Sequence, residues 1–192
     1  MNVCFVGDSL VLGYGAPACL GWPGRVCARA ESQGHPFVCY NLGVRGAASL
    51  DLRESWVEEA ARRLPSGVPA RLVFSFGAAD ANKGVDPDET LAAAKAILTV
   101  AAEMCPTVMV GPPPLRNPEV RARVESLSKW MAGVCTEVDV PYLDAYGPLA
   151  ASPGYMGDLE AGDGVHPGAR GYDELGRLVW GFEPLRNLLV SA

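Results

Sequence analysis

Acyl transfer is the chemistry open to a serine, a histidine and an aspartate held together, and this chain has few residues from which to build the set: His35 and His166 are its two histidines. A serine hydroxyl becomes a nucleophile when an imidazole takes its proton, and the imidazole serves only when a third group holds the right tautomer and stabilises the imidazolium. Ser9 stands between Asp8 and Leu10, just past an apolar run, where a strand-to-loop turn presents a hydroxyl at the rim of a sheet. Serine is also common in turns because its hydroxyl bonds the local backbone. His166 lies in Asp163-Gly164-Val165-His166-Pro167, and Asp163 is spaced to reach back to the ring across a glycine turn. By itself that pair reads equally as an Asp-capped turn beside an exposed histidine.

Positioning these groups requires a scaffold, and the chain alternates short β-branched or aromatic runs with longer helical stretches. That is the pattern of an α/β fold with a mainly parallel sheet. Strands are predicted at Val3–Val6, Phe37–Leu42, Arg71–Phe76, Thr107–Val110 and Tyr142–Leu143, each a short apolar run of the kind covered on both faces. Helices are predicted near Trp22–Gln33, Ser49–Arg63, Asp88–Met104, Pro118–Glu137 and Tyr172–Trp180. Asp86-Pro87-Asp88-Glu89 and Asn117-Pro118-Glu119 each supply a capping side chain, proline at the first helical position and an acid in the first turn. Pro106 and Pro141 stop helices ahead of strands.

In an open α/β sheet the ligand site lies outside the carboxyl ends of the strands. The segments to search are therefore Gly7–Leu10, Gly43–Gly46, Gly77–Asp80, Gly111–Pro114 and the stretch from Asp144 to Gly171, which is too long for an ordinary connection. His35, in Gly34-His35-Pro36, falls at the opposite end.

Composition bounds the partners. The chain has 192 residues, 16 Lys+Arg against 22 Asp+Glu for a net charge of −6, and is 49% hydrophobic. One globular domain over 1–192 is the expectation. The acidic balance, with no basic cluster longer than Arg62-Arg63, argues against a nucleic-acid partner. No apolar run approaches the ~20 residues of a membrane span, and the start lacks a basic region and a long apolar core, so a cytoplasmic protein without a signal peptide is expected. The six cysteines, Cys4, Cys19, Cys27, Cys39, Cys105 and Cys135, form no CxxC pair or zinc spacing, so reduced, mostly packed thiols are expected.

Four motifs in order carry a more specific reading: Gly7-Asp8-Ser9-Leu10, Asn41-Leu42-Gly43, Gly77-x-x-Asp80 and Asp163-x-x-His166. Together they resemble the GDSL or SGNH hydrolase family over nearly the whole chain. The resemblance implies a flavodoxin-like three-layer α/β/α sandwich with a five-stranded parallel sheet of order 2-1-3-4-5. It implies no metal or cofactor, and hydrolysis of small-molecule esters or thioesters or acyl transfer through the same acyl-enzyme. It makes Ser9 the nucleophile, His166 the general base and Asp163 the residue that orients it, with the Ser9 and Gly43 amides in the oxyanion hole. The family's third donor, an asparagine, falls at Ala79, whose methyl donates nothing. Losing one such donor costs on the order of 10²–10³ in kcat when nothing replaces it. Three readings follow: two donors acting on an activated substrate such as a thioester, Asn82 swinging in, or a binding module without turnover.

The substrate is read from Leu10, Trp22, Arg45 and Met156, the first, second and fourth as walls of an apolar acyl pocket and Arg45 as a partner for an anionic group. Each apolar residue reads equally as ordinary packing. A flavin binder on the same fold is a competing class, because Gly7 through Gly15 is a glycine-bearing loop after the first strand. A P-loop fails, because Asp8 would sit in the phosphate cradle and no Gly-Lys-Ser/Thr follows.

Overall fold

The computed structural model describes residues 1–35 and 37–190, so Pro36 and the last two residues of the expected domain lie outside the described residues. Its strands are β1 (Asn2–Gly7), β2 (Val38–Gly43), β3 (Ala70–Ser75), β4 (Thr107–Val110) and β5 (Tyr142–Leu143). All pair in parallel, in the order β2-β1-β3-β4-β5. The helices are α1 (Ser9–Leu12), α2 (Trp22–Ser32), α3 (Ser49–Ala61), α4 (Ala78–Lys83), α5 (Pro87–Met104), α6 (Pro118–Glu137), α7 (Tyr146–Ala150), α8 (Pro153–Ala161), α9 (Ala169–Gly181) and α10 (Glu183–Val190).

Alternation along the strands builds two apolar layers, because successive side chains leave a strand on opposite faces. Val3, Phe5, Val73, Val108 and Val110 pack with residues of α2, α8, α9 and α10. Cys4, Val6, Leu72, Phe74 and Met109 pack with residues of α3, α5 and α6 on the other face. The expected three-layer arrangement and strand order are those observed, and Thr107–Val110, Tyr142–Leu143 and Pro118–Glu137 match to the residue. The caps also form as read. Asp86 accepts from the amides of Asp88 (2.8 Å) and Glu89 (3.4 Å), and Asn117 from those of Glu119 (2.9 Å) and Val120 (3.3 Å).

Two expectations need correction. β2 is not covered on both faces: it is an edge strand with Val38, Cys39 and Asn41 exposed, since nothing pairs beyond it among the described residues. The stretch from Asp144 to Gly171 is not an irregular loop. It folds into α7 and α8, with Ser152 capping α8 and Pro153 opening it, and Tyr155 and Leu159 fully buried.

One buried polar cluster ties the site-bearing helix α4 to the start of α3. Asp80, fully buried, accepts from the Ser49 amide (3.0 and 3.1 Å), the Ser49 hydroxyl (2.6 Å) and the Thr90 hydroxyl (3.3 Å). Removing a buried acceptor strands its donors, at about 1–3 kcal/mol each. Asp80→Ala is accordingly expected to destabilise the fold by about 3 kcal/mol and lower Tm by about 10 °C in thermal unfolding. A shift under about 2 °C would mean that the cluster contributes little.

Candidate active site

The carboxyl end of β1 sets the first component. Asp8 caps α1, its carboxylate accepting the Leu10 amide at 2.8 Å, and this places Ser9 at the first helical position with its N–H free of any intrahelical partner. Gly7 is glycine for a steric reason: a Cβ there would lie 1.9 Å from the Ser75 carbonyl oxygen of the neighbouring strand. Burial pushes the Asp8 carboxyl up to about 6, with the charge of Asp80 adding to the rise and the Leu10, Ala79 and Val11 amides pulling against it.

The second component is the turn between α8 and α9. Asp163 Oδ1 accepts the amides of Val165 (2.9 Å) and His166 (2.8 Å), closing the turn, and Gly164 adopts φ +82°, a conformation that favours glycine. The Gly164 carbonyl accepts the Arg116 amide at 2.8 Å, which anchors the turn to the segment ahead of α6. Asp163 Oδ2 then lies 2.7 Å from His166 Nδ1, and His166 Nε2 lies 2.8 Å from Ser9 Oγ. The three residues picked from sequence are joined in one relay across a separation of 157 positions. His35 stands between α2 and β2, at the amino end of the sheet, as expected.

Partial burial opposes charge on Asp163, but the ring N–H of His166 and the two turn amides outweigh it and hold the carboxyl down at about 2, against an ordinary 3.8. A depressed carboxyl stabilises the fold above the unfolded pKa, and that contribution is lost as the pH falls through the folded one. Between pH 3.8 and about 2, the Tm of the wild type is therefore expected to fall more steeply than that of Asp163→Asn. Parallel curves in a thermal melt series would contradict this.

The His166 ring rests on Tyr14 with centroids 4.6 Å apart, and the Arg45 guanidinium lies over the same tyrosine, 4.3 Å from its ring centroid. Tyr172 donates its hydroxyl to the Tyr14 carbonyl at 2.8 Å, so this loop is held from the core side. Ser9 and His166 open into a cavity of about 150 Å³ lined also by Leu10, Arg45, Gly46, Ala79, Asn82 and Lys83. A larger hollow, about 500 Å³ between α4 and α6, contains none of Ser9, Asp163 and His166, so size does not mark the chemistry here.

The remaining sequence-predicted residues divide. Leu10, Arg45, Ala79 and Asn82 line the cavity. Trp22 does not: it is fully buried, edge-on to Phe5 at 5.6 Å, and belongs to the core because the amphipathic α2 turns it inward. Met156 likewise packs against that core rather than the cavity. Gly43 is also placed elsewhere. Its N–H donates to Asn41 Oδ1 at 2.9 Å, and a Cβ on it would lie 2.1 Å from the Leu12 amide nitrogen, so its glycine serves the packing of α1 on β2. Gly46, three residues on, lines the cavity at φ +75° and its N–H makes no hydrogen bond among the described residues. Sequence reasoning missed Gly46 because either glycine of Gly43-Val44-Arg45-Gly46 fits the pattern, and only the backbone path separates them. Lys83 also lines the cavity and was missed, although its neighbours Ala79 and Asn82 on the same helix were singled out.

A parallel α/β sheet of order 2-1-3-4-5 with a hydrogen-bonded Ser-His-Asp set at its carboxyl edge defines the class of fold. The chain belongs to the GDSL-like lipase/acylhydrolase family, whose profile matches residues 5–174, and it is in that general sense a hydrolase acting on esters. No curated relative matches the sequence. Among solved structures, it is similar to a lipase/acylhydrolase from Enterococcus faecalis, with 24% identity, 96% of each chain covered and a TM-score of 0.71. It is similar also to Axe2, an acetylxylan esterase from Geobacillus stearothermophilus, with 18% identity, 95% of each chain covered and a TM-score of 0.78. A member of the lipolytic G-D-S-L family from Veillonella parvula matches at 16% identity and a TM-score of 0.73, covering 95% of this chain and 98% of that one. At these identities the likeness is one of fold. Among the described residues no helix is long and apolar enough to cross a membrane.

Proposed function

We propose that the protein hydrolyses small-molecule esters of short acyl groups through an acyl-enzyme on Ser9. The observation that carries this reading is the relay, with 2.8 Å from Ser9 Oγ to His166 Nε2 and 2.7 Å from His166 Nδ1 to Asp163, opening at Ser9 into a cavity of about 150 Å³, with a second hollow of about 340 Å³ against His166 and Asp163 on the Tyr14 side. His166 takes the Ser9 proton as Oγ attacks the ester carbonyl, and the C–O bond to the alcohol breaks as the imidazolium returns that proton to the leaving oxygen. Water then repeats the sequence on the acyl-enzyme and releases the acid. Axe2 acts on acetylxylan, and an acetyl-sized acyl group suits a cavity of the volume found here.

The developing oxyanion would be held by the Ser9 and Gly46 amides and by the side chain of Asn82. Asn82 stands three residues after Ala79 on α4, hence on the same helix face, and lines the cavity where Ala79 contributes only a methyl. The Ala79 amide is turned instead to the Asp8 carboxylate. Arg45 would meet an anionic group on the alcohol portion, since its guanidinium makes no ion pair among the described residues, whereas Lys83 is already paired with Asp51 at 3.7 Å.

The test is a series of p-nitrophenyl esters of increasing acyl length, assayed beside fluorophosphonate labelling and intact mass. Turnover falling steeply beyond short chains, with one adduct on Ser9, is the expected result, and added alcohols separate hydrolysis from transfer by product analysis. Labelling without turnover on any ester or thioester would point to an impaired oxyanion hole or an untested acyl acceptor, and neither labelling nor turnover would favour a non-catalytic module. Asn82→Ala is expected to lower kcat about 10²-fold, and Ala79→Asn placed in that variant to restore most of the loss. An unchanged kcat in the single variant removes Asn82 from the oxyanion hole.

A further inference from the structure

Away from the relay, two sulfurs stand unusually close. Cys27 Sγ and Cys39 Sγ are 2.9 Å apart, on residues twelve positions distant in sequence and on different elements, α2 and the edge strand β2. The expectation of mostly packed thiols holds only for Cys4 and Cys135, which are buried; Cys27 and Cys105 are half-buried, and Cys19 and Cys39 are exposed. At this separation, bond formation needs roughly an ångström of further approach. A thiol pair meant only for packing has no reason to sit at the open edge of a sheet.

We propose that Cys27 and Cys39 are a redox modification site, a surface dithiol that closes to a disulfide by exchange with a low-molecular-weight disulfide. Cys39 is the attacking sulfur. It is the more exposed of the two, and the Cys27 S–H donates to it, which lowers its pKa, while the same bond and burial raise that of Cys27. The Cys39 thiolate attacks one sulfur of the small disulfide, whose S–S bond breaks, and a mixed disulfide forms as one thiolate leaves. That thiolate takes the proton of Cys27. The Cys27 sulfur then attacks Cys39 Sγ and displaces the second thiolate, which is protonated from solvent. The two cysteines are oxidised and the small disulfide is reduced to two thiols.

The bridge ties α2 to β2, the strand that leads into Gly43–Gly46, and it restricts the unfolded chain. The proposal stands whether or not the ester chemistry does, because neither cysteine lines the cavity.

Wild-type protein equilibrated in glutathione buffers of graded oxidation, with free thiols then alkylated, supplies the test. Expected are a loss of about two mass units, a Cys27–Cys39 linked peptide, and a Tm higher by about 5–10 °C that a dithiol reductant reverses. Cys27→Ser is expected to stop at a stable glutathione adduct on Cys39. A stable adduct on Cys39 of the wild type, a link to Cys19 instead, or no linked peptide at the oxidising limit would each overturn the assignment.

Discussion

Replacing Ser9 with alanine is expected to lower ester turnover on the order of 10⁶-fold while leaving Tm within about 2 °C of the wild type. The serine hydroxyl makes one side-chain contact, the 2.8 Å bond to His166, so its loss removes the nucleophile without stranding another buried donor. The cap on α1 survives, because Asp8 accepts the Leu10 amide whatever stands at position 9. The Ser9 amide, being backbone, also survives, and substrate binding should change far less than kcat. What remains is attack by water assisted by His166. The measurement is kcat on a short p-nitrophenyl ester, with intact mass after fluorophosphonate treatment. A variant within tenfold of wild type, or one still labelled once, would move the nucleophile elsewhere.

Asp163→Asn is expected to cost about 10⁴ in kcat. The amide oxygen of asparagine can still accept the Val165 and His166 amides, now 2.9 and 2.8 Å from Oδ1, so the turn closes as before. The second atom changes sign. Where Oδ2 accepts the Nδ1–H of His166 at 2.7 Å, an NH₂ group would donate to Nδ1 and drive the proton to Nε2. His166 would then present an N–H to Ser9 Oγ rather than a lone pair and take no proton from it. This separates geometry from charge: the fold persists while turnover and the rate of fluorophosphonate labelling at Ser9 fall together. A rate within a few-fold of wild type would place the orienting role on another residue, such as the Tyr14 ring that rests against His166.

Much of this site is legible in the amino-acid sequence, for identifiable reasons. Ser9 and the Asp163–His166 pair are local signals: a residue just past a strand, and a spacing of three across a glycine turn. With two histidines in the chain, the choice of base is nearly forced. The strands and both capped long helices follow from period and punctuation, which act within a few residues. The departures are non-local. Trp22 and Met156 read as pocket walls because apolar loop-flanking residues carry no mark of which way they turn, and the packing of α2 and α8 against the sheet turns both to the core. Gly43 and Gly46 are equivalent in sequence and differ in the backbone path, the first pressed against α1 and the second left with a positive φ beside Ser9.

The class of fold, the family and the three residues of the relay are therefore determined at the level of sequence, because each rests on short-range pattern or on residue scarcity. Tertiary packing decides which glycine faces the cavity, that α4 brings Asn82 and Lys83 to its wall, that the cavity holds about 150 Å³, and that Cys27 meets Cys39. These are contacts between elements distant along the chain, and side-chain pattern within one element does not encode the angle at which another packs against it.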